Sequence, residues 1–116
     1  MNNPPVEESL DPADWEAMRR LAHQAIDDGF DHLQHVRERP VWQPVPDRVV
    51  APLREPAPRL PQGAESAYRE FKEIVMPYSM GNTHPRFWSW FMGNGTPFAA
   101  VGDFLAAVLN PNMGGG

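Results

Sequence analysis

Four side chains that metal ions and acid–base chemistry use are crowded into two helical turns of the sequence. They are Asp28, Asp31, His32 and His35, at spacings of three and four residues. On a helix this spacing either brings carboxylate and imidazole onto a common metal ion or forms a solvated polar face opposite an apolar stripe. Structural zinc usually takes a fourth, well-spaced ligand and often thiolates, and the chain has no cysteine. We therefore favour the polar face and predict no metal site.

A glycine-containing loop, residues 93–96 (Gly-Asn-Gly-Thr), precedes an apolar helical pattern. Free amides at a helix N-terminus can hold an anion such as phosphate. The loop has no lysine after it and no clear strand before it, which leaves a tight turn with closely packed backbone as the other interpretation.

Residues 84–93, here called the aromatic segment, combine four aromatic side chains with very little charge. In an extended strand, alternate residues would form two apolar faces. One face would carry Phe87, Ser89 and Phe91, and the other Trp88, Trp90 and Met92. The segment is then either a strand covered on both faces or the wall of an apolar binding pocket.

The chain offers little for covalent catalysis. There is no cysteine, and neither Ser66 nor Ser89 can be paired with a convincing base. The single lysine, Lys72, falls on the polar side of a predicted helix, where we expect it to be solvated and unreactive.

Apolar periodicity predicts a mainly α chain with three helices, at about 12–38, 64–76 and 97–109. Asp11 and Pro12 are typical of the start of the first helix, Pro77 of the end of the second, and Thr96 and Pro97 of the start of the third. The third helix is apolar almost all round, so three helices of this size cannot cover it. The chain therefore looks incomplete by itself.

The helices are separated by segments of different character. Residues 1–10 form a polar tail, and residues 40–63 form a connector that holds seven of the fourteen prolines. Because proline removes a backbone donor and disfavours a helical residue before it, we expect the connector to be extended, including the stretch from Pro52.

Composition excludes several classes of protein. A net charge of −5 leaves no basic stripe for nucleic acid, and no apolar run is long enough to span a bilayer. Without cysteine or a recognisable signal peptide, a cytoplasmic location is expected.

Several short motifs in a fixed order resemble the N-terminal part of the group II pyridoxal-phosphate-dependent amino-acid decarboxylases, typified by aromatic-L-amino-acid decarboxylase. The resemblance covers roughly residues 11–116 and is strongest after Met76. Its motifs are Met76-Pro77, His84-Pro85-Arg86-Phe87, Gly95-Thr96-Pro97, Gly102-Asp103-Phe104-Leu105 and Asn110-Pro111-Asn112-Met113-Gly114-Gly115.

This resemblance implies a parent enzyme with the α/β fold of aminotransferase-type, pyridoxal-phosphate-dependent transferases. Such an enzyme is a homodimer that removes carbon dioxide from an L-amino acid via an external aldimine. Its Schiff-base lysine and main phosphate loop come later in family sequences, so we expect this chain to be an inactive fragment that binds no cofactor alone. The implied parts are a dimerisation helix at 11–39, the connector, and the start of the decarboxylase domain at 64–116, with a pocket-wall segment at 84–96.

The same resemblance implies site residues at matching positions. Trp90, Phe91, Met92 and Gly93 correspond to the wall of the substrate pocket, and Asn112 and Gly114 to positions that reach the partner subunit's site. His84-Pro85 corresponds to a turn before the wall, with an architectural role. The sequence departs from the aromatic decarboxylases at Met92, Gly93 and Gly114, so an aromatic substrate with a ring hydroxyl is not specified.

The alternative hypothesis is a stand-alone helical module whose apolar C-terminal third docks on a partner protein. Such a module is expected to be a cooperatively melting monomer, whereas a segment of a larger enzyme is expected to self-associate or to be partly disordered.

Overall fold

The computed structural model describes residues 9–111 and 114, and in them the chain is helical, without strands. It contains four α-helices: α1 (Trp15–Gln34), α2 (Asp47–Leu53), α3 (Ala64–Glu70) and α4 (Pro97–Leu109). A 3-10 turn at Val36–Glu38 follows α1, while a π-helical turn at Phe71–Val75 and a 3-10 turn at Met76–Tyr78 extend α3. The prediction of a mainly α chain is confirmed, and the prediction of three helices misses one.

The first helix begins three residues later than predicted, because Asp14 and not Asp11 is its cap. The Asp14 carboxylate accepts hydrogen bonds from the backbone N–H groups of Glu16 and Ala17, at 2.9 and 3.0 Å. Two free amides of the first turn are thereby satisfied, which Asp11 cannot do because it lies outside the helix.

The connector is not extended throughout, since α2 lies inside it. Pro46 precedes this helix and its carbonyl accepts from the N–H groups of Val49 and Val50. The expectation that the stretch from Pro52 is extended is wrong at its first two residues. Pro52 lies in the last turn, so it costs one backbone hydrogen bond, and the helix ends at the next residue.

The second predicted helix, 64–76, is present but changes its winding. The α-helical part ends at Glu70, and the next five residues form a π-helical turn before the 3-10 turn that contains Pro77. Proline at the second position of that turn lacks the N–H that further helix would need, so the α-helix cannot continue through it.

One carboxylate on α1 holds α3 in place. Asp28 Oδ2 accepts a hydrogen bond from the Tyr68 hydroxyl at 2.5 Å and forms an ion pair with Lys72 Nζ at 2.9 Å. All three side chains are half-buried. These two bonds join residues forty or more positions apart in the sequence and tie α1 to α3 and to the π-helical turn after it.

Little of the apolar surface is covered by the described residues. Val49 is the one apolar residue there that is fully buried, at 3% exposure. The surface area is 10604 Å², whereas a compact protein of this mass exposes about 6,400 Å². The radius of gyration is 18.8 Å, against about 13 Å for a compact chain of this length. The prediction that the chain cannot cover α4 agrees with this large exposed surface, because Phe98, Val108 and Leu109 on that helix are exposed.

None of the helices in the described part of the chain has both the length and the apolar character that crossing a membrane requires.

We predict that the Asp28 cluster stabilises the fold between about pH 4 and pH 10. Hydrogen bonds from Tyr68 and then Lys72 lower the pKa of Asp28, so its contribution is present above the ordinary carboxyl value and is lost as pH falls through the lowered one. Burial and the Asp28 bond raise the pKa of Tyr68 to about 12, so its contribution is lost as pH rises from about 10 towards that value.

Replacing Tyr68 by Phe should therefore lower the thermal unfolding midpoint by a few degrees near neutral pH, and the difference should disappear in acid. Circular dichroism melts at several pH values measure this. Tyr78→Phe is the matched control, because the Tyr78 hydroxyl has no hydrogen bond to any described residue. Equal effects of the two substitutions would contradict the role of Asp28.

A second prediction concerns Gly81, which has a φ of +80° and lies against the Val41 carbonyl. A Cβ there would overlap the Val41 oxygen, so Gly81→Ala should destabilise the fold by about 2 kcal/mol or more. Gly102→Ala is the control, because nothing lies within 4 Å of its added Cβ and alanine favours the helix by about 0.5–1 kcal/mol. Denaturant unfolding measures both, and a neutral Gly81→Ala would refute the close approach.

Candidate functional site

The aromatic segment is a chain of turns and irregular backbone, not a strand. Of the two interpretations drawn from the sequence, the strand covered on both faces is wrong. A covered strand needs neighbouring strands to satisfy its backbone groups, and the described residues contain none. The two apolar faces predicted from strand alternation therefore do not form.

A single ring contact organises the middle of the aromatic segment. Phe87 and Trp90 meet edge to face, with ring centroids 5.5 Å apart and an interplanar angle of 89°. Phe87 is half-buried, while the predicted pocket-wall side chains are exposed: Trp90 at 59%, Phe91 fully and Met92 at 44%. Gly93 is exposed as well. The structure thus places the four residues next to one another on an open surface.

His84 fixes the start of this segment through three local hydrogen bonds. Its N–H donates to the Gly81 carbonyl at 2.9 Å, and its own carbonyl accepts from the Phe87 N–H at 3.0 Å. Its ring Nδ1 accepts from the Arg86 N–H at 3.0 Å. With a residue exposure of 4%, His84 is the buried polar residue of the described chain. The architectural role that the resemblance implied for His84-Pro85 stays a prediction.

A small cavity of about 90 Å³ lies beside His84. It is bounded by the C-terminal end of α1, the first residues of the connector and the 3-10 turn after α3, and its polar lining includes His32, Arg39 and Gln43. The Arg39 guanidinium donates to the His32 carbonyl at 2.8 Å, and the Gln43 amide donates to the Pro77 carbonyl at 2.8 Å. The first bond holds Arg39 against the end of α1, and the second ties the connector to the 3-10 turn after α3.

Burial and then the Arg39 charge lower the pKa of His32 below its ordinary value. Both causes act against the protonated ring, because a charged imidazole loses water and meets a cation of the same sign. His32 is therefore neutral at pH 7.

The polar side chains of α1 form two separate sets of contacts. Asp28 is engaged by Tyr68 and Lys72, while His35 Nδ1 lies 3.0 Å from both the backbone oxygen and Oδ1 of Asp31. Asp31 is solvated as the polar-face interpretation expects, but Asp28 and His32 are half-buried under α3 and the connector. Among residues 9–111 and 114, no group of three or more histidine or acidic side chains is arranged to hold a metal ion.

The glycine-containing loop leads into α4 as predicted. The Thr96 hydroxyl oxygen accepts from the Ala99 N–H at 3.2 Å, and the Thr96 carbonyl accepts from the Ala100 N–H. No described residue lies within 4 Å of a Cβ added at Gly93 or Gly95, so the closely packed backbone that we expected is not found in the described part of the chain. Asn94 is instead held by the Asn82 side chain, whose amide donates to Asn94 Oδ1 at 3.3 Å.

Two predicted site residues lie beyond α4. Asn112 is outside the described residues, and Gly114 lies in an exposed turn. The left-handed backbone of Asn110, with a φ of 38°, ends the helix before them.

Sequence reasoning missed two features of the site. The prediction of a free, solvated Lys72 is wrong, because its ammonium group is paired with Asp28. An ammonium group held in an ion pair does not fit a Schiff-base role, which needs the neutral amine, and the chain has no other lysine. The burial of His84 was missed as well, since the only local signal is its place between Gly81 and the aromatic residues.

Comparison with known proteins finds relatives of one kind. Aromatic-L-amino-acid decarboxylase of Catharanthus roseus is 28% identical over 111 residues, which are 95% of this chain and 22% of that protein. Tyrosine decarboxylase 1 of Narcissus pseudonarcissus is 30% identical over 106 residues, covering 88% of the chain and 20% of the relative. Aromatic-L-amino-acid decarboxylase of Bacillus atrophaeus is 27% identical over 96 residues, covering 82% of the chain and 20% of the relative.

The chain thus spans about a fifth of the length of the curated relatives it matches. No family model matches the chain. No solved structure matches it significantly. The resemblance inferred from the sequence is nevertheless confirmed: over most of its length the chain is similar to the N-terminal segment of group II pyridoxal-phosphate-dependent amino-acid decarboxylases.

Proposed function

We propose that this chain serves as the N-terminal dimerisation and substrate-pocket segment of a pyridoxal-phosphate-dependent amino-acid decarboxylase. The observation that carries the proposal is the similarity to decarboxylases over 82–95% of the chain. The large uncovered apolar surface supports it independently, because helices that pack on the rest of an enzyme need such a surface.

In this proposal the parts have separate tasks. Residues 11–39 form the dimerisation helix, residues 40–63 the connector, and residues 64–116 the start of the decarboxylase domain. An apolar groove of about 190 Å³ between α1 and α4 is lined by Ile26, Phe30, Leu33, Val101 and Phe104, among others. Its lining is apolar, as expected of a surface that other parts of a homodimer cover.

The cofactor belongs to another part of the enzyme. Pyridoxal phosphate, when bound there, supplies the electron sink that decarboxylation needs. The residues of this chain do not fit it, because its one lysine is paired with Asp28. The task left to this segment is to orient the substrate and exclude water from it. A cytoplasmic location, suggested by the absence of cysteine, is part of the same proposal.

The pocket wall of the proposal is formed by Trp90, Phe91, Met92 and Gly93. The exposed rings offer apolar surface for a substrate side chain, and the edge-to-face contact with Phe87 holds Trp90 in place.

The relatives are named for tyrosine, tryptophan and other aromatic substrates. We propose an L-amino acid as the substrate class here and leave the side chain open, because Met92 and Gly93 depart from the aromatic subgroup. Asn112 and Gly114 are proposed to reach the partner subunit's site.

Replacing Trp90 by Ala in the full-length enzyme should raise KM for the amino acid by about tenfold with bound cofactor retained. The reason is that the wall contacts the substrate side chain and not the cofactor. Carbon dioxide release and cofactor absorbance measure the two effects. Trp88→Ala is the matched control, since Trp88 lies on the same segment but is not one of the four residues proposed to line the pocket. Loss of cofactor with an unchanged KM would contradict the proposal.

The exposed apolar surface is also compatible with the stand-alone interaction module. Dilution of the protein distinguishes this module from a segment of a decarboxylase. On the decarboxylase proposal, the 116-residue chain at micromolar concentration should self-associate or melt without cooperativity, because its apolar faces lack their cover. Analytical ultracentrifugation and calorimetry measure this, and a monomer with a sharp melting transition would favour the module.

A further inference from the structure

Phe87 and Trp90 form the one ring contact in the part of the chain that the structure describes. Their centroids lie 5.5 Å apart and their planes are nearly perpendicular, at 89°, which is an edge-to-face geometry that aromatic pairs favour. The two rings differ in exposure, since Phe87 is half-buried and Trp90 is 59% exposed. The less exposed ring therefore supports the more exposed one.

The backbone of Phe87 is anchored to a buried residue. Its N–H donates to the His84 carbonyl at 3.0 Å, and the His84 N–H donates to the Gly81 carbonyl at 2.9 Å. His84 is 4% exposed, and its ring accepts from the Arg86 N–H at 3.0 Å. Because His84 is buried and held by these bonds, the backbone of Phe87 starts from a defined position, from which its ring reaches Trp90.

The neighbouring exposed rings lack such a support. Trp88 is 89% exposed and Phe91 is fully exposed, and neither has a ring contact within the described residues. An exposed side chain without contacts moves among its rotamers, and a ligand that binds it must hold it still. Ordering one such side chain weakens binding by about two- to tenfold. For Trp90 this loss is smaller, because Phe87 already restricts the ring.

We propose that Phe87 is a positioning and specificity-determining residue, which holds the Trp90 ring of the pocket wall in one orientation for the substrate side chain. The inference rests on the proposed function, because it takes Trp90 to be part of that wall. A wall of fixed shape distinguishes amino acids by the shape of their side chains, whereas a mobile ring adapts to each of them. Phe87 acts through Trp90 and does not itself touch the substrate.

Kinetics of the full-length enzyme with the common L-amino acids test the role of Phe87. Phe87→Leu keeps an apolar side chain but removes the ring, so it should raise KM for the preferred amino acid about two- to tenfold, with kcat and bound cofactor retained. It should also reduce the differences in kcat/KM among the amino acids. Phe87→Tyr keeps the ring contact and should restore both values. Phe98→Leu is the matched control, because Phe98 has no ring contact with any described residue.

A double-mutant cycle shows whether Phe87 acts through Trp90. In the Trp90→Ala background, Phe87→Leu should change KM no further, because the ring that Phe87 positions is gone. An equal rise in both backgrounds would overturn this inference and leave the proposed function intact. The same holds for an unchanged KM in Phe87→Leu when Trp90→Ala raises it. An unchanged KM in Trp90→Ala would instead overturn the proposed function, and this inference with it.

Fluorine NMR of the same protein gives a readout that does not depend on activity. With tryptophan replaced by 5-fluorotryptophan, the Trp90 resonance is assigned from its loss in Trp90→Phe. Phe87→Leu should shift and narrow this resonance, because the ring current of Phe87 disappears and the indole moves more freely, while the Trp42 resonance stays in place. An unchanged Trp90 resonance would refute the positioning role. If Phe87→Leu does not fold, Phe87→Ile takes its place in each experiment.

Discussion

The arrangement of this chain depends on the Asp28 carboxylate, which binds the Tyr68 hydroxyl and the Lys72 ammonium at the same oxygen. One donor lies on α3 and the other in the π-helical turn that follows it, so a single acceptor on α1 holds both of these segments against α1. The turns after α3 then carry the chain to His84 and the aromatic segment. Because the three groups are half-buried and not fully desolvated, the cluster contributes orientation more than a large free energy.

A second constraint is the shortage of buried apolar surface. A chain of this length that folds compactly covers most of its apolar side chains, but here Val49 is the one that is fully covered among those described. The α1–α4 groove and the aromatic segment leave their apolar atoms open. The proposed role as a segment of a decarboxylase would explain this surface, because in that proposal the rest of the enzyme covers it.

The sequence predicted some parts of the candidate site and not others. Helix α4 was predicted to the residue, because Thr96, Pro97 and Asn110 mark its ends through local backbone chemistry. The residues of the proposed pocket wall came from the resemblance, and the structure adds the Phe87–Trp90 contact. Helix α2 was missed because the prolines of the connector indicated extended backbone. Pro52 removes only a single backbone hydrogen bond, so a short helix still forms. Lys72 was misjudged because its partner is forty-four positions away.

By itself, the sequence determined the helical character, the capped start and end of α4, the presence of a single lysine, and the resemblance to decarboxylases. These features depend on residue type and near neighbours, which are visible in a linear sequence. The tertiary structure alone decided the pairing of Asp28 with α3, the burial of His84 beside His32, and the exposure of the aromatic segment. Hydrogen bonding and burial are set by distances between chain-remote groups, and no local pattern encodes those distances.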